Sequence, residues 1–247
     1  MVRVLVEGNR ASGVELADGS RVAADVVVSN ADATHLYGDL VQRTVAASAR
    51  RRLARATPSL SGFVLLLALR GRTPDVHHHT VLFPDDYDAE FDAVFGPEAH
   101  PVDEPTVYVC SPDDETMSPA GHEAWFVLVN APRHGLGPGC VDWRAPGLAQ
   151  SYAAKVLDVL AARGLDVRDR LLWHEVRTPA DLETATRSPG GAIYGTSSNG
   201  ARSAFLRPAN RSPVPGLFLV GGSAHPGGGL PLVGLSAAIV ADLVGPA

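Results

Sequence analysis

Residues 216–243 constrain the chain most. A short apolar stretch, Gly216-Leu217-Phe218-Leu219-Val220, runs into Gly221-Gly222-Ser223-Ala224-His225-Pro226-Gly227-Gly228-Gly229, and an apolar segment with helical character, Leu232 to Leu243, follows. The order is strand, glycine loop, helix. Glycines at such a junction let backbone amides approach a ligand without interference from Cβ atoms, and the start of the helix presents unpaired N–H groups and a positive dipole end. The pattern predicts either a dinucleotide-binding turn or a tight structural connection. Neither the G-x-G-x-x-G nor the G-x-x-x-x-G-K-[ST] spacing occurs in the sequence, so no independent nucleotide fingerprint supports the first reading.

The remainder bounds the class of protein. The chain has 247 residues, 45% hydrophobic and 19% charged, which fits one large or two small globular domains. Its 21 basic and 27 acidic side chains give a net charge of −6, which disfavours nucleic acid as a partner. Cys110 and Cys140 lie too far apart for C-x-x-C chemistry and form no disulfide framework, so a reducing cytoplasmic setting is expected. The longest apolar run, Phe63 to Leu69, is far short of the roughly 20 residues of a spanning helix, and no secretory signal is readable.

Along the chain, Val2, Val4 and Val6 alternate up to a Gly8-Asn9 turn, and Val14 and Leu16 lead to Asp18-Gly19, which predicts a β-meander. Asp25 to Val28 reads as a short strand buried on both faces and ending at Ser29-Asn30-Ala31-Asp32. Asp32 is placed to cap a helix reaching about Leu40, and Ala46 to Ala56 reads as a second helix. Strands are expected at Phe63–Leu69, Val81–Phe83, Thr106–Cys110, Trp125–Asn130 and Leu171–Val176, forming a mixed sheet. Helices are expected at Asp85–Phe95, at Gly147–Arg163, and from Thr178-Pro179 to a stop at Ser188-Pro189-Gly190-Gly191.

Other motifs carry less. His77-His78-His79 invites a metal, yet consecutive strand residues point to alternate faces, so a structural or solvent-facing role is expected and no metal site is assigned. His225 sits in the glycine loop near Ser223 without an identifiable nucleophilic partner. Trp125, Trp143 and Trp173 read as core or interface aromatics, and Asn210-Arg211-Ser212 as an accidental glycosylation sequon.

Taken as text, the run SAFLRPANRS over 203–212, followed by PGLFLVGGSAHPGGGLPLVGLSA over 215–237, resembles the C-terminal signature of the phytoene desaturase family of FAD-dependent carotenoid oxidoreductases. The opening VLVEGNRASGVELADGSRVAADVVVSNAD and the segment HHTVLFPDDYDAEFDAVF are similar to that family as well, so the resemblance covers essentially the whole chain. It implies an α/β fold with mixed sheets: a partial FAD-binding domain formed by residues 1–57 and 201–247, and a substrate domain over 58–200. Members are roughly twice as long and open with the G-x-G-x-x-G unit. This unit is missing here, so an internal-start or truncated product, or a subunit completed by a separate chain bearing that half, is expected.

The resemblance places FAD against Gly221, Gly222 and Ser223 at the strand end and Pro231, Leu232 and Val233 at the helix start, with Ser29, Asn30 and Ala31 at the rim. Many related flavoproteins hold the ribityl chain with an acidic residue after the strand-end glycine, where this chain has Ser223. Phe205, Arg207 and His225 would face an apolar polyene. The implied reaction is desaturation by hydride transfer to flavin, with a family isomerase or a non-catalytic remnant as alternatives. The intact enzyme is expected in the cytoplasm, touching a membrane surface peripherally.

Overall fold

The computed structural model describes residues 1–74, 76–114, 116–197 and 207–246. The chain opens with β1 (Arg3–Glu7), β2 (Arg10–Glu15), β3 (Arg21–Ala23) and β4 (Val27–Ser29). Next come α1 (Ala33–His35), which continues as a π-helical turn over Leu36–Leu40, and α2 (Ala47–Leu53). The middle of the chain holds β5 (Ser61–Arg70), β6 (His79–Leu82), α3 (Asp88–Phe95), β7 (Val107–Cys110), β8 (His122–Ala131), β9 (Arg133–His134), β10 (Cys140–Val141) and α4 (Leu148–Ala162). It ends with β11 (Leu171–Arg177), α5 (Pro179–Thr186), β12 (Leu217–Leu219) and α6 (Leu230–Val244). Among the described residues no helix is long and apolar enough to cross a membrane.

These elements form two compact units, Met1–Ser59 with Ala185–Ala247, and Leu60–Thr184. Residues 185–197, read from sequence with the middle of the chain, therefore group with the first unit. Both units combine helices with sheets in which parallel and antiparallel pairings occur, an α/β architecture.

In the first unit β1, β2 and β3 form the expected antiparallel meander. Its second turn is fixed by Asp18, whose Oδ1 accepts from the Ser20 amide at 3.0 Å. Strand β4 pairs in parallel with β12, matching Val27 to Leu217 and Ser29 to Leu219. Val4, Val27, Leu36, Tyr37, Leu217 and Leu219 pack together as the core. β4 differs from the expected strand buried on both faces: Val27 and Ser29 are buried, but Val28 is 50% exposed. A run of consecutive valines does not reveal whether a second layer covers the sheet, and here one face is open.

In the second unit the strand order is β11-β5-β8-β7-β6, antiparallel throughout, while the short β9 and β10 pair in parallel. β5 and β8 are matched over their full length, from Ser61 opposite Ala131 to Arg70 opposite His122. Alternation sends Phe63, Leu65, Leu67 and Leu69 to one face with Trp125, Val127 and Val129. Tyr152, Val156 and Leu160 of α4 belong to the same cluster, at the helical spacing that makes one stripe apolar. Trp125 and Trp143 are core residues, whereas Trp173 is largely exposed. α5 starts on a reciprocal cap: the Thr178 amide donates to Asp181 Oδ2 and the Asp181 amide to Thr178 Oγ1.

Candidate functional site

The parallel pairing of β4 and β12 sends both chains out of the sheet at the same end. The Val220 amide donates to the Ser29 carbonyl at 2.9 Å, so the segments 29–31 and 221–223 leave side by side. The space outside the carboxyl ends of parallel strands is where α/β sheets hold ligands. Ser223 ties the two exits together, because its Oγ accepts from the Ala33 amide at 3.0 Å. Its hydroxyl hydrogen stays available to donate. The Ser29 hydroxyl accepts from the Ala31 amide, and Asp32 caps α1 through the Thr34 amide, as expected.

The glycine loop is braced from beneath. Buried Asn210 donates from Nδ2 to the carbonyls of Leu219 and His225 at 3.0 and 2.8 Å and to Ser236 Oγ at 2.9 Å. Ser236, buried in α6, in turn accepts from the Gly221 amide at 3.2 Å. Arg207, also buried, donates to the carbonyls of Tyr194 and Gly222. The Tyr194 ring lies directly on Gly228, so close that a Cβ there would stand 2.4 Å from Tyr194 Cδ1. Gly228→Ala is accordingly expected to lower stability by about 1–3 kcal/mol through overpacking. Thermal unfolding of Gly228→Ala with and without Tyr194→Ala checks the cause, since removal of the ring should relieve the clash.

This frame leaves donors free. Gly221 adopts φ +106°, which turns the chain at the strand end. Among the described residues no protein acceptor pairs with the amides of Gly222, Ser223 and Gly229. The first turn of α6, with Pro231 at its second position, adds the N–H groups that any helix start leaves without internal partners. The free amides and the Ser223 hydroxyl are donors suited to phosphate, ribityl hydroxyls or a polarised carbonyl, with the Asp32 carboxylate beside them at the start of α1.

The sequence-derived candidates therefore divide. Ser29, Asn30, Ala31, Gly221, Gly222 and Ser223 are brought together, and Leu232 of α6 reaches back to within 3.5 Å of a Cβ position on Gly227. Pro231 and Val233 share that first turn. Arg207 is engaged with backbone carbonyls beneath the loop, while His225 is exposed on it. Phe205 lies outside the described residues. Asn210, Ser236 and Tyr194 went unrecognised in the sequence. Ser236 had a signal, a polar residue on the inner stripe of an apolar helix, and Asn210 stood inside the signature run but was read only as a sequon. Its side chain is buried, in keeping with an accidental match.

The histidine run is exposed to solvent, as expected. β6 begins at His79, so His78 lies in the preceding bend and strand alternation does not separate the two rings, whose centroids are 4.4 Å apart.

A parallel strand pair opening onto a donor-rich glycine loop is an arrangement in which α/β folds hold ligands such as dinucleotides. In fold, the chain superposes on an oxidoreductase from Methanosarcina mazei with a TM-score of 0.56 at 15% identity, over 97% of this chain and 47% of that one. No protein-family model matches. The chain is 36% identical over 97% of its length to a hydroxyneurosporene desaturase from Rubrivivax gelatinosus, covering 45% of that protein. It is 34% identical over 99% of its length to a lycopene-forming phytoene desaturase from a Paracoccus strain, covering 49%. A 4,4'-diaponeurosporene oxygenase from Staphylococcus haemolyticus is 34% identical over 96%, with 46% covered. The chain belongs with the carotenoid and phytoene desaturases and matches a C-terminal part of them. It spans about half the length of the curated relatives it matches.

Proposed function

We propose that this chain forms the C-terminal share of an FAD-dependent oxidoreductase that desaturates a carotenoid or a similar apolar polyene. The observation that carries the reading is the convergence of the β4 and β12 ends on a glycine loop whose amides at Gly222, Ser223 and Gly229 have no acceptor among the described residues. FAD, when bound, supplies the hydride acceptor for such a reaction. The free amides and the Ser223 hydroxyl would hold its polar parts, and the positive end of α6 favours negative charge beside Pro231, Leu232 and Val233. A polyene offers no polar handle, so its alignment rests on apolar walls that exclude water. Being lipid-soluble, it reaches the enzyme from a membrane surface.

Exposed apolar side chains on the first unit support the part-length reading. Val26 and Val28 are exposed at β4, and Leu230, Leu232, Leu235 and Val244 are exposed on α6, Leu230 at 89%. Only Ser236 and Val240 of this apolar helix are buried among the described residues, so most of its surface faces solvent. The remaining part of the FAD-binding fold, in the same polypeptide or in a second chain, is the cover that suits it.

Purified alone, the 247-residue chain is expected to bind FAD weakly and to self-associate. Co-expressed with the G-x-G-x-x-G half of a desaturase relative, it is expected to yield a yellow complex with stoichiometric flavin. Leu235→Glu, which puts a charge among the exposed apolar side chains of α6, should abolish that complex and keep the isolated chain dispersed. Flavin absorbance and size-exclusion chromatography read both. Stoichiometric, tightly held FAD on the isolated chain would refute the part-length reading, and absence of flavin in the complemented sample would refute the FAD site.

A further inference from the structure

We propose that His78, His79 and Cys110, at the edge of the second unit, form a binding site for a zinc-like divalent cation. The site is independent of the flavin reading and lies in the other unit. Its three ligand atoms, one from each side chain, all fall within 4.8 Å of one another. Two secondary-structure features produce this. β6 and β7 pair so that His79 stands directly opposite Cys110, and the neighbouring pair is bonded through the Ser111 amide donating to the His78 carbonyl. A cross-strand pair of this kind brings Cβ atoms within about 5.5 Å. The chain is not yet extended at His78, so that ring folds over to join the pair instead of turning to the opposite face.

The chemistry matches the geometry. One thiolate and two neutral imidazoles are a borderline-soft set that suits Zn²⁺, with bonds of roughly 2.0–2.3 Å. Drawing the three atoms onto one ion requires them to close by about 1 Å, within reach of small χ rotations in exposed histidine side chains. Tyr108, two residues before Cys110 on the same face of β7, is hydrogen-bonded to His79 Nδ1 at 2.8 Å. Such a partner orients the ring and leaves Nε2 as its unbonded nitrogen. Both histidines are solvent-exposed, so the fourth position of a tetrahedron is open to water. A bound ion would clip β6, one of the two edge strands of the sheet, to β7.

Cobalt is the probe that reports the thiolate. The full chain, reduced and stripped with chelator, is titrated with Co²⁺ alone and read by its thiolate-to-metal charge-transfer band, after which Zn²⁺ is added. The expected result is a band that saturates at one equivalent, disappears on adding Zn²⁺, and persists in Cys140→Ser. Cys110→Ser should lose the band. His78→Ala and His79→Ala should each weaken cobalt binding by roughly tenfold or more. The histidines are exposed, so these two variants are expected to remain folded and decide the matter even if Cys110→Ser does not. Absence of a band in the wild-type chain, a band that survives in Cys110→Ser, or unchanged affinity in both histidine variants would overturn the proposal.

Discussion

Asn210→Ala is expected to destabilise the first unit by about 2–4 kcal/mol and to loosen the glycine loop at its root. The amide of Asn210 reaches three acceptors within 3.0 Å, the carbonyls of Leu219 and His225 and the hydroxyl of Ser236. Its two hydrogens are thus shared among three partners, and the Asn210 carbonyl accepts from the Leu219 amide at 2.7 Å through the backbone. Truncation leaves buried oxygens without donors, and each such group costs about 1–3 kcal/mol. Asn210→Asp should cost more than alanine, because a carboxylate brings lone pairs and a charge against the same oxygens. Urea unfolding gives the free energy. Hydrogen exchange at the amides of Leu219 and Gly221, which Asn210 and Ser236 hold, locates it. A loss below about 0.5 kcal/mol with unchanged exchange would mean that the loop is held by other contacts.

The second large effect is expected at Phe63. Its side chain is fully buried, with ring centroids 5.5 Å from Trp143 and 4.8 Å from Tyr152, the latter edge-on at 80°. Phe63→Ala should cost the second unit about 3–5 kcal/mol, combining lost apolar transfer with the cavity left between β5 and α4. Phe63→Leu retains most of the apolar volume and gives up the two ring contacts, for about 1–3 kcal/mol. Denaturant unfolding followed by tryptophan fluorescence is suited to both variants, since Trp125 and Trp143 lie in that core. Equal losses for leucine and alanine would show that aromatic geometry, rather than filled volume, sets the stability there.

Much of the secondary structure was legible because its causes are local. The Asp32 and Thr178 caps bond to amides two and three residues away, and both were readable as helix starts. The unbroken apolar run Phe63–Leu69 marked β5 as a strand without naming its inward face, and Gly147–Arg163 was readable as the helix that became α4. The reading of β4 as doubly buried erred because apolar composition reports what a face prefers and not what covers it. The histidine run is solvent-facing as expected, although strand alternation does not apply at His78, because β6 begins one residue later.

The glycine loop shows the same division. Composition and order alone marked residues 221–229 as a place where backbone meets a ligand or another backbone, since those glycine positions are short-range backbone constraints. That the loop lies beside Ser29 to Ala31, is tied to Ala33 across 190 residues by Ser223, and is braced by Asn210, Ser236 and Arg207 was decided by tertiary structure. No periodicity encodes such contacts. They arise when β4 and β12 pair in parallel, and only then do an asparagine that resembled a sequon and a serine in an apolar helix become the supports of one site.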